Sequence, residues 1–322
     1  MTLLGQLVNS DVLKIIRSQD FDHFRSIERL GEANSIPTDC KGFASAFAAV
    51  TLKSCSIYLQ RTFPRILQVT YSTTGAIVGF TMNDGGSVIL NGVEGRAPAI
   101  LLVKGRAACE IVEPQANLIA FVNFDSIGDL GWPGERDTAQ FIVTEPARFE
   151  ALRTIMRDVL LLASNAPEIF LQSGMSESVE ESMAQAVDHA MHAAPLALED
   201  KRTNLTGYLL LVRKFDEFLA ANAGRTLYSA EIAKQLGVSV RTLHNAVVAI
   251  RGMSMHRYTR LKRLWNVRQQ LLQGLSTEAV KTVALVNGFW HMGEFISLYR
   301  ELFGETPQQT LLAARRHQSG LS

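Results

Sequence analysis

The chain has 322 residues, 47% of them apolar and 20% charged, a balance that suits two globular domains with cores of their own. No run approaches the ~18 uninterrupted apolar residues of a membrane-crossing helix. The opening MTLLGQLVNSD reads as no secretory leader, and Cys40, Cys55 and Cys109 show no CxxC spacing, so a reducing, cytoplasmic setting is expected.

The net charge of +1 conceals an asymmetry. Residues 201–322 carry 17 Lys and Arg against 7 Asp and Glu, whereas residues 1–200 carry 15 against 24. A basic module therefore follows an acidic one, and a basic module most often meets phosphate.

From about Phe43 to Phe124 short apolar runs such as CSIYLQ, ILQVTYS, AIVGFTM, SVILNGV and NLIAFVNF alternate with turn signals, among them Asn83-Asp84-Gly85-Gly86 and Glu113-Pro114. Many short strands at close spacing predict a β-sandwich or barrel. Its interior is expected to take Ile57, Leu59, Val69, Tyr71, Val78 and Phe80, which suits either a small apolar or aromatic ligand or a plain packed core. After Trp132-Pro133-Gly134 the period changes. Pro146 opens a helix whose stripe runs through Phe149, Leu152, Ile155 or Met156, Val159 and Leu162 or Ala163. A second helix is expected over SESVEESMAQAVDHAMHAA, and residues 194–207 form a polar break.

Beyond that break only helices are predicted. Tyr208, Leu211, Phe215 and Phe218 or Leu219 share one face of a helix ending near Gly224. In YSAEIAKQLGVSVRTLHNAVVAIRG, Ser229 is expected to cap a helix that buries Ile232, Ala233 and Leu236. Gly237 supplies the turn. Ser239 caps the next helix, which buries Leu243 and Val247 and leaves Val240, Arg241, His244 and Asn245 outward. Helix, glycine turn and capped helix make a helix-turn-helix, whose second helix reads a DNA major groove.

The same grammar recurs about 50 residues later in STEAVKTVALVNGFWHMGEFISLYRELFG. Val280, Val283 and Ala284 face inward, Gly288 turns, and Phe295, Leu298 and Tyr299 or Leu302 line the second helix. A helix over residues 257–273 joins the two motifs. It rises about 1.5 Å per residue, roughly 25 Å in all, so the two helices can reach major-groove faces about 34 Å apart.

These residues, AEIAKQLGVSVRTL followed by GFWHMGEFISLYRELFGETPQQTL, resemble the AraC/XylS DNA-binding domain over roughly residues 208–315, most like the subgroup of activators responding to aromatic acids. Residues 1 to about 165 resemble that family's sensor and dimerisation domain in strand-rich texture and position alone. The resemblance implies an α+β multidomain chain, with an N-terminal cupin-like β-barrel or sandwich carrying helices and a C-terminal all-α double helix-turn-helix domain. The expected boundaries are 1–145 for the sensor, 146–195 for a helical dimerisation and coupling segment, 196–207 for the linker and 208–322 for the DNA-binding domain.

By the same resemblance the base-reading positions are Arg241, His244 and Asn245 in the first motif and Met292, Gly293, Glu294 and Ser297 in the second. Arg suits guanine O6 and N7, and Asn suits adenine N6 and N7. Gly293 reads as a groove-facing site where bulk is unwelcome or as a packing glycine. Glu294 departs from the Arg common in related sequences, and could accept from cytosine N4 or weaken the grip on DNA. Trp290 and His291 pack on the sugar-phosphate rail or cover the turn. Arg251, Arg257, Lys262, Arg263 and Arg300 are candidates to neutralise phosphate, Arg263 being equally suited to a structural ion pair.

The implied function is a sequence-specific transcription regulator, an activator, controlled by a small molecule or partner bound to the N-terminal domain. The implied partners are double-stranded DNA, RNA polymerase and a second copy of the chain. The alternatives are a barrel that binds another protein, and a barrel enzyme fused to a DNA-binding tail. No catalytic residue, cofactor or metal is assigned. A metal-binding barrel needs clustered histidines, and there is none between His23 and His189. Asp188 and His192 share a helix face, where a polar pair turned to solvent is the simpler account. Cys109 reads as a buried apolar residue.

Overall fold

The computed structural model describes residues 2–19, 21, 24, 32–128, 131–170, 172, 174–192, 196–197, 204–222, 225, 228–273 and 280–319. The chain divides into two compact units. One comprises Met1–Ser35 and Phe43–Lys201, the other Ile36–Gly42 and Arg202–Ser322.

In the first unit, α1 (Leu3–Gln6) precedes the strands β1 (Leu13–Ser18), β2 (Glu32–Pro37), β3 (Ser45–Thr51), β4 (Cys55–Arg61), β5 (Arg65–Thr81), β6 (Ser87–Leu90), β7 (Val93–Arg96), β8 (Ala99–Glu113), β9 (Leu118–Phe124) and β10 (Thr138–Val143). Then come α2 (Pro146–Asn165), α3 (Pro167–Phe170), α4 (Met175–Met191) and β11 (Leu196–Ala197). The strands form one sheet in the order β1-β3-β4-β9-β5-β8-β10-β11, with β2 beside β5 and β6 beside β7 and β8. The long β5–β8 hairpin is its spine, antiparallel from Arg65↔Glu113 to Gly79↔Leu101, with a register shift between Ser72 and Ala76. This is the strand-rich, cupin-like layout expected, though β1, β2 and β10 lie outside the stretch from Phe43 to Phe124 in which the sequence predicts strands.

The sheet buries both faces, because successive strand side chains point opposite ways. Ile57, Leu59, Val78, Phe80, Ile100, Leu102, Ala120 and Val122 form one cluster with Phe149, Leu152 and Met156 of α2 and Met183 and Val187 of α4. Leu67, Val69, Tyr71, Leu101, Val103, Cys109 and Ile111 form a second. The expectation of one interior is thus corrected. Val69 and Tyr71 belong to the second cluster, and Val78 and Phe80, beyond the register shift, to the first.

Helix α2 begins with Pro146 at its start and buries the predicted stripe, Phe149, Leu152, Met156, Val159 and Ala163. Its Arg153, 4% exposed, reaches back to the sheet, donating Nε to the Thr81 carbonyl at 2.8 Å and Nη2 to that of Asn83 at 3.2 Å. Asp188 of α4 accepts from Trp132 Nε1 at 2.8 Å and lies 3.2 Å from His192 Nδ1, so the carboxylate serves as an anchor between a loop and α4.

The second unit contains α5 (Leu205–Ala221), α6 (Ser229–Gln235), α7 (Val240–Arg251), α8 (Met255–Leu272), α9 (Val280–Val286), α10 (Met292–Phe303) and α11 (Pro307–Ser319). Helix α5 starts three residues before the expected Tyr208, and its expected end at Gly224 lies outside the described residues. Ser229 is the first residue of α6, with Tyr228 in the capping position. Val212, Phe215, Leu243, Val247, Ile250 and Tyr258 are fully buried in the first half of this unit, and Val267, Leu271, Phe295 and Tyr299 in the second. Each half is pinned by a buried cation. Asp216 of α5 accepts from Arg251 Nη2 at 2.7 Å and from Tyr258 Oη. Arg268 of α8 donates to Glu305, and Tyr299 Oη bonds Thr310 Oγ1 at 2.9 Å.

Candidate nucleic-acid interface

Two turns of identical hydrogen bonding organise the second unit. After α6, Gly237 N–H donates to the Lys234 carbonyl and Val238 N–H to that of Ala233. After α9, Gly288 N–H donates to the Leu285 carbonyl and Phe289 N–H to that of Ala284. Both glycines have left-handed backbone, φ +69° and +82°, which a side chain would strain.

The two turns lead into their second helices differently. Ser239 caps α7, its Oγ accepting from Thr242 N–H at 3.0 Å. Three residues, Phe289, Trp290 and His291, precede α10, and His291 in the capping position makes no side-chain cap bond. The extra residue makes room for the Trp290-His291 pair ahead of α10. Phe289 packs on Phe295, ring centroids 5.0 Å apart, while Trp290 stays 65% exposed and His291 exposed, so neither merely covers the turn.

Shifted by 52 residues, the two second helices present matching burial patterns. Leu243 and Val247 are buried, as are Phe295 and Tyr299. Arg241, His244, Asn245 and Val248 are exposed, as are Gly293, Ile296, Ser297 and Arg300. The expected readers Arg241, His244, Asn245, Gly293 and Ser297 therefore occupy the outward stripes, and Met292 is half-buried at the start of α10. Ile296, 39% exposed and equivalent to His244, is a position that residue type alone did not flag. An added Cβ on Gly293 meets nothing within 4 Å, which removes the packing reading for this glycine. Glu294 is exposed and matches Thr242, so it stands beside the stripe in the first turn of α10, where a carboxylate favours the helix dipole.

The five expected phosphate contacts part company. Arg257 and Arg300 are exposed, and among the described residues neither has an ion-pair partner. Arg251 is removed from the set. It is 0% exposed and paired with Asp216, a core cation that cannot reach a phosphate. Lys262 Nζ lies half-buried, 3.8 Å from Asp216 Oδ1. Arg263 pairs with no carboxylate among the described residues. It donates Nη2 to the Arg225 carbonyl at 3.2 Å, and burial holds its guanidinium below its ordinary pKa.

A helix-turn-helix domain family matches residues 232–313. Over 138 residues the chain is 30% identical to the "Probable thc operon regulatory protein" of Rhodococcus erythropolis, covering 42% of this chain and 40% of that protein. Over 101 residues it is 29% identical to the "XylDLEGF operon transcriptional activator" of Pseudomonas putida, covering 31% and 32%. The chain thus spans less than half the length of either relative. A solved structure of a probable AraC family transcriptional regulator from Rhodopseudomonas palustris is 31% identical and covers 33% of this chain and 97% of its own, with a TM-score of 0.31. Among the described residues no helix is long and apolar enough to cross a membrane, and no group of three or more His, Cys, Asp or Glu is placed to hold a metal ion. The helical unit, with its paired turns and matched outward stripes, is a double helix-turn-helix domain similar to the DNA-binding domain of AraC/XylS-type transcriptional regulators.

Proposed function

We propose that the whole chain is a sequence-specific, cytoplasmic transcription regulator, an activator working with RNA polymerase, whose first unit senses and whose second unit reads DNA. The observation that carries the reading is the repeated outward stripe, Arg241, His244 and Asn245 on α7 and Gly293, Ile296 and Ser297 on α10, on a unit with 17 basic against 7 acidic residues from 201 onward. The test is sequencing of genomic DNA fragments retained by the purified chain at moderate salt. A shared motif with two sub-sites about one helical turn apart is expected. Random fragments that wash off as salt rises would overturn it.

Control is assigned to a small, largely apolar effector in the first unit. A cavity of about 40 Å³ lies among Tyr71, Gly79, Thr81, Leu101, Phe121 and Phe141, with the buried Arg65–Glu113 pair (2.8 Å) at its edge. That is room for two or three water-sized groups, so a ring-sized guest requires Phe141 to swing aside. Thr81 Oγ1 is buried there with no hydrogen-bond partner among the described residues, the group a guest would satisfy. Thr81 and Phe80 also touch α2, through Arg153 and through the Phe80–Phe149 ring contact at 6.1 Å. This favours a cavity effector over a protein bound to the barrel, and gives its signal a route to α2 and α4, to which we assign dimerisation. Thr81→Val should leave the fold intact and blunt the response to whichever apolar compound raises the melting temperature of the wild-type chain. An unchanged response would remove the cavity from the scheme.

A further inference from the structure

A groove with about 330 Å³ of free space crosses α8 within the second unit. Ser229 and Ile232 of α6 stand on one side, and Trp290, His291 and Glu294, from the turn and first residues of α10, on the other. Its ionisable lining is His256, Arg260 and Arg263 of α8 with His291, against the single carboxylate of Glu294.

The two arginines are the unusual feature. They are three residues apart and so share a face of α8, both are half-buried, and neither has a carboxylate partner among the described residues. The same unit gives Arg251 and Arg268 their own acids, Asp216 and Glu305. Arg263 has instead the carbonyl of Arg225 and a place against Gly288, where an added Cβ would stand 3.4 Å from its Nη1. A guanidinium partly withdrawn from water without a counter-ion favours any anion that enters.

The position of the groove selects the anion. Helix α8 holds the two motifs apart over 18 residues, about 27 Å. DNA read by both α7 and α10 must pass its backbone across the middle of that span, where Arg260 and Arg263 lie. The groove also opens where the reading stripe ends, since Glu294 adjoins Gly293.

We propose that this groove is a saddle for the DNA sugar-phosphate backbone between the two stretches read by α7 and α10, with Arg260 and Arg263 as its phosphate partners. The proposal rests on the reading of the second unit as DNA-binding.

The test is the salt dependence of binding by the full chain to a mixed-sequence duplex of about four helical turns. Removing one phosphate partner lowers the slope of log K against log salt by about 0.9, independent of sequence. Arg260→Gln should lower the slope by that amount, Arg260→Gln with Arg263→Gln by about twice it, and Arg260→Lys should keep the wild-type slope. Arg316→Gln, an exposed arginine on α11 away from the groove, is expected to leave affinity and slope near wild type. Arg260→Gln with the wild-type slope would overturn the saddle and leave DNA binding standing. A wild-type chain whose affinity ignores salt would overturn the DNA reading itself.

Discussion

Arg241 and Gly293 occupy the same position in the two helix-turn-helix motifs, one carrying the longest side chain on its outward stripe and the other none. On the proposed reading, the first motif reaches a base edge that the second can only approach. Arg241→Ala should weaken specific binding by about 1–3 kcal/mol, the range of a good base contact, in titrations on a retained fragment. Gly293→Ala should raise helix stability by up to about 1 kcal/mol, since its Cβ meets nothing, and yet lower affinity. A variant that is more stable and binds as tightly would mean that Gly293 does not face DNA.

Ile296 presents apolar surface where its counterpart His244 presents a polar ring. Within the major groove that surface suits the thymine methyl group. Ile296→Ser should cost about 1–2 kcal/mol at one A·T position of the operator, and leave the salt slope unchanged. Equal loss on every sequence would show that it supports the fold and reads nothing.

Arg251 should behave as a core residue. Removing one partner of a buried pair leaves the other uncompensated, which costs about 3–5 kcal/mol. Since Asp216 is 11% exposed and keeps Tyr258 Oη and Lys262 beside it, Arg251→Ala is expected near the lower end, measured by urea unfolding. Near-normal stability with a reduced salt slope would return it to the phosphate-binding set.

Burial pushes the Tyr299 phenol up to about 12, from an ordinary value near 10. The folded chain keeps this proton where the unfolded chain releases it. The stabilisation is therefore complete below pH 10 and lost progressively as pH rises from 10 to 12. Cys55, pushed by burial to about 12, contributes in the same direction, so the comparison must be with a variant. Tyr299→Phe should flatten the fall in melting temperature above pH 10, and an identical fall would exclude Tyr299 as its source.

Much of the second unit was legible because its signals are local. Gly237 and Gly288 mark positive-φ turns, Ser239 caps α7 with its own side chain, and Leu243, Val247, Phe295 and Tyr299 repeat at helical spacing. The outward stripes came with these, since a helix with one buried face has little choice about the other. Arg251 was misread because nothing local distinguishes it from Arg257. Its partner Asp216 lies 35 residues away on another helix.

In the first unit the sequence alone determined that strands dominate and that a proline-initiated helix with an apolar stripe comes after them. It did not determine which face each strand turns inward. Strands buried on both sides read as unbroken apolar runs, so Val69 and Val78 look alike although they enter different cores. The cavity at Thr81, the lack of a carboxylate beside Arg263 among the described residues and the pairing of Arg153 with the sheet were decided only by the tertiary structure. Each depends on which distant groups fold against a side chain, and local spacing carries no record of that.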